Sequence, residues 1–308
     1  MTSNSDTLFC PAKINVGLSV PFKRADGYHE IESLFLPIDY CDELTIALSN
    51  RTQFRSENLI PVSTKSDFDA VSELGNPENN LLIKTMVAVN QFKPIHLDFF
   101  LKKRIPSGAG LGGGSSNAGR LLSWLTKQQI ITQKQAFQIA VSLGADIAFF
   151  LDPVPSAVSG IGDQIQPLND INYNRLSKLS GILVLSNIVV STKFAYSELK
   201  RPLQSASVSK SGRSLSPQAA FNALLDGDGE ALSQQVSNDF EEVVFRLHPE
   251  LDEVKTALKK EGAFYSSLTG SGSGLFGIFA NNIGFEESLH SLEAKYSDFC
   301  FVRFGFFM

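Results

Sequence analysis

The chain has 308 residues, 43% of them hydrophobic, enough to bury the cores of two domains of ordinary size. Its formal net charge of -5 offers no basic field for a nucleic-acid backbone, and no apolar run reaches the roughly 18 residues that a membrane span needs. Cys10, Cys41 and Cys300 are odd in number and lack metal-ligand spacing, so reduced thiols in a cytoplasmic protein are expected; the polar opening MTSNSDT carries no secretory signal.

In chain order, residues 10 to 20 alternate, with Ile14, Val16, Leu18 and Val20 on one face and Lys13, Asn15, Gly17 and Ser19 on the other. Lys13 and Asn15 point the same way, toward a site or toward solvent from an edge strand. Asp26-Gly27 marks a turn, followed by Tyr28 and His29, an aromatic and an imidazole that grip a planar ligand or are plain surface residues. A strand is expected around Leu44, Ile46 and Leu48, then an irregular surface excursion from 49 to 79. Asn80 caps a helix whose apolar stripe is Leu82, Thr85, Met86 and Val89. Ile95, Leu97, Phe99 and Leu101 form the strand that enters the most informative stretch of the chain.

That stretch, IPSGAGLGGGSSNAGRLL from Ile105 to Leu122, places five glycines between Gly108 and Gly114 directly before Ser115, Ser116 and an amphipathic helix. Glycines let backbone N-H groups converge, and the helix adds its unpaired first-turn donors, so the stretch reads as an anion cradle. The serine hydroxyls cap the helix or hold a phosphate-bound metal. Residues 108 to 113 satisfy the dinucleotide fingerprint, but no Asp or Glu lies between Ile105 and Ala145 to hold a ribose, and Ser115 follows Gly114 where a P-loop needs Lys. A plain linker does not sit between an alternating strand and an amphipathic helix.

A second helix with Ala136, Ile139, Ala140 and Leu143 inward ends at Gly144 and delivers Asp146 to the apolar run IAFFL. Asp146 is either a working carboxylate or an ordinary loop residue. Residues 160 to 167 read as the passage between domains; GILVL at 181 to 185 reads as a buried strand, and a Ser-rich loop follows at 205 to 216. Pro249 opens a helix that Gly262 closes. Gly270, Gly272 and Gly274 make a second glycine turn, which faces the same anion as the first or is a tight hairpin. The end, FCFVRFGFF, is strand-like.

Together PAKIN (11 to 15), RADGYHEIESLF (24 to 35), PSGAGLGGGSSNA (106 to 118), LGADIAFF (143 to 150) and LTGSGSGLF (268 to 276) resemble, in order, the motifs of the GHMP superfamily of small-molecule kinases. The DGYH segment makes the resemblance strongest to the branch acting on a cytidine-bearing polyol. Gly119 stands where that family usually has Ala, at an expected cost of up to about 1 kcal/mol of helix propensity, and Ala148 where Pro is common.

The resemblance implies an α+β protein: an N-terminal ribosomal protein S5 domain 2-like domain over 1 to 160, a C-terminal ferredoxin-like domain over 161 to 308, and an active site in the cleft between them. It implies phosphorylation by ATP, with Mg, of the 2-hydroxyl of 4-diphosphocytidyl-2-C-methyl-D-erythritol, a step of the non-mevalonate isoprenoid pathway. Asp146 and Lys13 would be catalytic. Asn80, Pro106, Gly108, Gly110, Leu111, Gly112, Gly113, Gly114, Ser115 and Ser116 would hold the nucleotide, with Ser115 and Ser116 on the metal. Asn15, Tyr28, His29, Tyr196, Gly270, Ser271 and Gly272 would line the acceptor side, the cytosine lying between Tyr28 and Tyr196; the alternative for Tyr196 is plain core packing. The partner is then a small molecule rather than nucleic acid or membrane, and the chain a cytoplasmic monomer or homodimer. A mevalonate-type kinase, the rival within the superfamily, would lack Tyr28-His29, and a catalytically idle relative would not keep Lys13, Ser115, Ser116 and Asp146 together.

Overall fold

The computed structural model describes residues 5–61, 80–169, 171–203, 216–280 and 284–308; the Ser-rich stretch, apart from Ser216, lies outside them. Among the described residues the chain forms two sheets. The first is built on the long strand β2 (Ile31–Leu48). One edge of β2 pairs with β1 (Ser5–Ser19). The other is divided between β5 (Ser156–Gly160) at its start and β4 (Leu97–Lys103) at its end. β6 (Gln164–Pro167) extends the sheet beyond β5, and β3 (Gln53–Asn58) runs parallel to β4 on the far side.

Three expectations change here. The stretch expected to be irregular, 49 to 79, contains β3, an edge strand without buried residues and so without an apolar signal. β2 begins at Ile31 rather than near Leu44, because its first half is buried on both faces and does not alternate. The boundary at 160/161 cuts the β5–β6 hairpin, so the chain leaves the first sheet only after Pro167.

The second sheet has the order β10 (Cys300–Phe304), β7 (Ser180–Leu185), β9 (Leu275–Phe279), β8 (Tyr265–Leu268), all antiparallel. Counted within that half, this is 4-1-3-2, the ferredoxin-like order the resemblance implies. The helices α1 (Leu81–Asn90), α2 (Gly113–Lys127) and α3 (Gln133–Leu143) cover the first sheet around Leu44, Phe99, Leu121 and Ile139. Asn80 caps α1 as expected, and Thr132 with Gln135 forms a capping box on α3. No helix among the described residues is long and apolar enough to cross a membrane.

β1 is the seam between the halves. Ala12, Ile14 and Val16 enter a core shared with Leu183, Phe276 and Phe304 of the second sheet. Its outer edge is covered: Lys13 N-H donates to the Leu111 carbonyl at 3.0 Å, Leu18 N-H to the Ser237 carbonyl at 2.8 Å, and Asp239 N-H to the Leu18 carbonyl at 2.9 Å. The opposite, polar face is not solvated either: Lys13 and Asn15 are 3% and 1% exposed.

Candidate active site

Burying a lysine requires compensation, and Lys13 has three neighbours that provide it. Its Nζ donates to Asn15 Oδ1 at 2.5 Å, lies 3.8 Å from Asp146 Oδ2, and sits 4.7 Å above the Phe35 ring centroid. Burial lowers the Lys13 pKa from its ordinary value, and the Asp146 carboxylate opposes that shift. Asp146 lies on the single 3₁₀ turn Ala145–Ile147, above a cluster of Phe35, Phe149, Phe150 and Val158, and its side chain keeps 32% exposure. The ammonium is thus fixed and dry, and the carboxylate faces open space.

The glycine loop forms one wall. Gly108, Gly110 and Gly112 have φ of 76, 74 and 71°, and Gly112 is the N-cap of α2. A Cβ on Gly112 would lie 3.0 Å from the Phe150 ring, and one on Gly110 would lie 2.0 Å from the Thr269 carbonyl oxygen. The second glycine turn, joining β8 to β9, therefore packs backbone to backbone on the first. It is both a hairpin and a partner of the loop. Neither serine caps α2, which begins at Gly113, two residues before Ser115; no side chain caps it and its first turn holds no acid. Ser115 is half-buried; Ser116 is fully buried, and among the described residues its Oγ has no hydrogen-bond partner.

Asn15 ties β1 to the second glycine turn. Its Oδ1 accepts from Lys13 Nζ and, at 2.9 Å, from Gly270 N-H; its Nδ2 donates to Ser33 Oγ at 3.0 Å. These bonds within the protein make it a brace that aims Lys13, as well as a wall of the cavity. Asn238, which sequence reasoning missed, donates from Nδ2 to the Leu268 and Gly270 carbonyls at 2.8 and 2.9 Å. Ser271 Oγ lies 3.0 Å from Thr192 Oγ1, and Gly272 sits against Leu268. Asn238 and Thr192 lie outside every motif read above, and Ser33, inside one, acts on Asn15 18 residues away.

The cavity around Lys13 and Asp146, about 190 Å³, shares Ile161, Thr192 and Tyr196 with one of about 720 Å³ that holds Tyr28 and His29. His29 stacks on Tyr196, with centroids 4.9 Å apart and 26° between planes, and Phe240 meets Tyr196 edge-on at 4.8 Å. One face of Tyr196 is thus covered by His29, so a ring placed between Tyr28 and Tyr196 would have to displace the imidazole. Tyr28 is 62% exposed. Burial, Lys23 and Arg201 all lower the His29 pKa, which keeps the imidazole neutral, while burial and Asp146 push the Tyr196 hydroxyl up to about 12. Pro106 and Gly108 line a separate small cleft with Ile188 and Val189 of the second half. Asn80 spends its Oδ1 on Leu82 N-H at 2.9 Å, next to Leu81, which lies beside Gly114.

A glycine cradle at a helix N-terminus, set beside a lysine–carboxylate pair in a cavity that Thr192, Tyr196, Gly270 and Ser271 of the second half close, is the arrangement of a small-molecule kinase. Residues 80–153 match the GHMP kinases N terminal domain and residues 220–298 the GHMP kinases C terminal domain. The chain belongs to the GHMP kinases, a family that uses ATP. Among its relatives, a 4-diphosphocytidyl-2-C-methyl-D-erythritol kinase of Leptospira interrogans is 38% identical, the match covering 97% of this chain and 100% of that one. A solved 4-(cytidine 5'-diphospho)-2C-methyl-D-erythritol kinase superimposes with a TM-score of 0.75 at 27% identity, over 97% of this chain and 99% of that one. A homoserine kinase from Cytophaga hutchinsonii shares the fold, with a TM-score of 0.63 at 16% identity over 99% and 95% of the two chains.

Proposed function

We propose that this chain transfers the γ-phosphoryl group of ATP to the 2-hydroxyl of 4-diphosphocytidyl-2-C-methyl-D-erythritol. The observation that carries the reading is the 3.8 Å Lys13–Asp146 pair, in a cavity walled by the glycine loop and continuous with the Tyr28, His29 and Tyr196 rings. Phosphoryl transfer asks a protein for positioning and for charge stabilisation more than for covalent chemistry. The N-H groups of the loop and of the first turn of α2 hold the phosphates. Lys13 offsets the charge that spreads over the transferring oxygens. Asp146 accepts the proton of the attacking hydroxyl or its hydrogen bond.

Among the described residues no group of three His, Cys, Asp or Glu could hold a metal alone, so magnesium would be held largely by the phosphate oxygens. The unpartnered Ser116 Oγ, with Ser115, suits that role. When bound, magnesium neutralises phosphate charge. On the acceptor side, cytosine lies against Tyr28, with the neutral His29 imidazole, seated on Tyr196, at its edge. Neutral imidazole offers one donor and one acceptor, which a base edge needs.

The test is ATP consumption measured with 4-diphosphocytidyl-2-C-methyl-D-erythritol beside mevalonate and homoserine. Turnover confined to the cytidine substrate is expected. Turnover with either of the others and none with the cytidine substrate would overturn the reading.

A further inference from the structure

The glycine loop rests on a buried ion pair that the reaction itself does not use. Asp42, on β2, is 0% exposed, and Lys103, at the end of β4, is 4% exposed. Lys103 Nζ donates to Asp42 Oδ2 at 2.8 Å and also to the Ile105 carbonyl. Asp42 Oδ1 accepts the backbone N-H groups of Arg104 at 2.7 Å and Ile105 at 2.9 Å. One carboxylate and one ammonium thus bind the backbone on both sides of the residue where the strand ends and the loop begins. A Cβ on Gly113 would lie 2.9 Å from Lys103 Nζ, so the ammonium lies directly beneath the first residue of α2.

That placement has an electrostatic sign. A cation at a helix N-terminus opposes the positive end of the macrodipole, and a buried pair costs desolvation, so neither feature favours the resting helix. An anion in the cradle offsets the first of these, because its charge attracts the ammonium. We propose that Asp42 and Lys103 are positioning residues for the nucleotide: Asp42 fixes the entry of the loop, and Lys103 adds positive potential behind the phosphate-binding N-H groups without touching the substrate.

The experiment compares wild type, Lys103→Met and the double variant Asp42→Asn/Lys103→Met. The readouts are thermal unfolding and calorimetric Kd for a non-hydrolysable ATP analogue with magnesium. Loss of one partner leaves a buried charge unpaired, so the single variant is the one at risk of not folding. The double variant leaves none, and its Asn still accepts from the backbone. In the double variant Kd for the nucleotide is expected to rise about tenfold, the scale of a helix-end charge effect of about 1.4 kcal/mol, with the acceptor's KM within about twofold of wild type. A folded double variant with unchanged nucleotide Kd, or with both substrates weakened alike, would overturn the proposal and leave the pair a purely structural element. Nucleotide binding is read without the acceptor, so this outcome is independent of which hydroxyl is phosphorylated.

Discussion

Replacing Gly119 by Ala sets helix propensity against packing. In the middle of α2 the change gains up to about 1 kcal/mol by propensity alone. The new Cβ, however, would lie 2.6 Å from Phe150 Cβ, 2.8 Å from the Ile147 carbonyl oxygen and 2.9 Å from the Phe150 carbonyl carbon. Carbon contacts are relaxed near about 3.5 to 4.0 Å, so three contacts each fall short by roughly an ångström. Two of the atoms are backbone and cannot rotate away. Overpacking of this kind costs about 1 to 3 kcal/mol, so with the full propensity gain the net effect is a loss of up to about 2 kcal/mol. At about 2 to 4 °C per kcal/mol, the melting temperature falls by up to about 8 °C.

Of the two bodies, the 15-residue helix is the stiffer, so the short 3₁₀ segment moves, and it carries Asp146 one residue before Ile147. A displacement near 1 Å at a reacting group costs up to about 100-fold, so kcat is expected to fall at least about tenfold with ATP affinity retained. Urea unfolding and steady-state kinetics on the purified variant decide it. A raised unfolding midpoint with wild-type kcat would refute the packing argument and restore the propensity one.

Asp146→Asn should lower kcat by about 100-fold or more with little change in nucleotide Kd; wild-type turnover would remove Asp146 from the chemistry. Lys13→Met should lower kcat without loss of thermal stability at neutral pH, because it removes a buried charge; a large fall in melting temperature would make Lys13 a structural residue. Burial lowers the Lys13 pKa from 10.5, so above the folded value the folded chain holds fewer protons than the unfolded one, and stability rises with pH toward 10.5. The same shift brings an alkaline decline of kcat/KM below pH 10.5, which a pH profile of Lys13→Arg should lack if Lys13 is its source. Gly112→Val should abolish nucleotide binding, since φ of 71° and the Phe150 ring 3.0 Å from a Cβ both exclude a β-branched side chain; retained binding in a folded variant would show that the loop is not the cradle. Tyr196→Ala should weaken cytidine and uridine substrates and, by freeing His29, narrow the gap between them as His29→Ala does; an unaltered preference by KM in both variants would take His29 out of base reading.

The sequence alone determined what is local or repeated along a strand or helix. The glycine loop, the helix after it, the cap at Asn80 and the fully buried strand β7 are legible because φ preference, capping and burial act within a few residues. The family resemblance then supplied Lys13 and Asp146 as a pair. Tertiary structure alone decided how the site is held. The glycine loop and residues 237 to 239 close the edge of β1 and its polar face is buried, neither of which an alternation pattern can reveal. β3 and the first half of β2 escaped because an exposed edge strand and a doubly buried one both lack the period-two signal. Gly119 reads as a helix defect until Phe150 and the Ile147 carbonyl are brought against it. Asp42 and Lys103 are 61 residues apart, and only the β2–β4 pairing makes them one buried group under the loop. Propensity acts along the chain, whereas desolvation and steric exclusion act across space, and the arrangement of this site depends on the second kind.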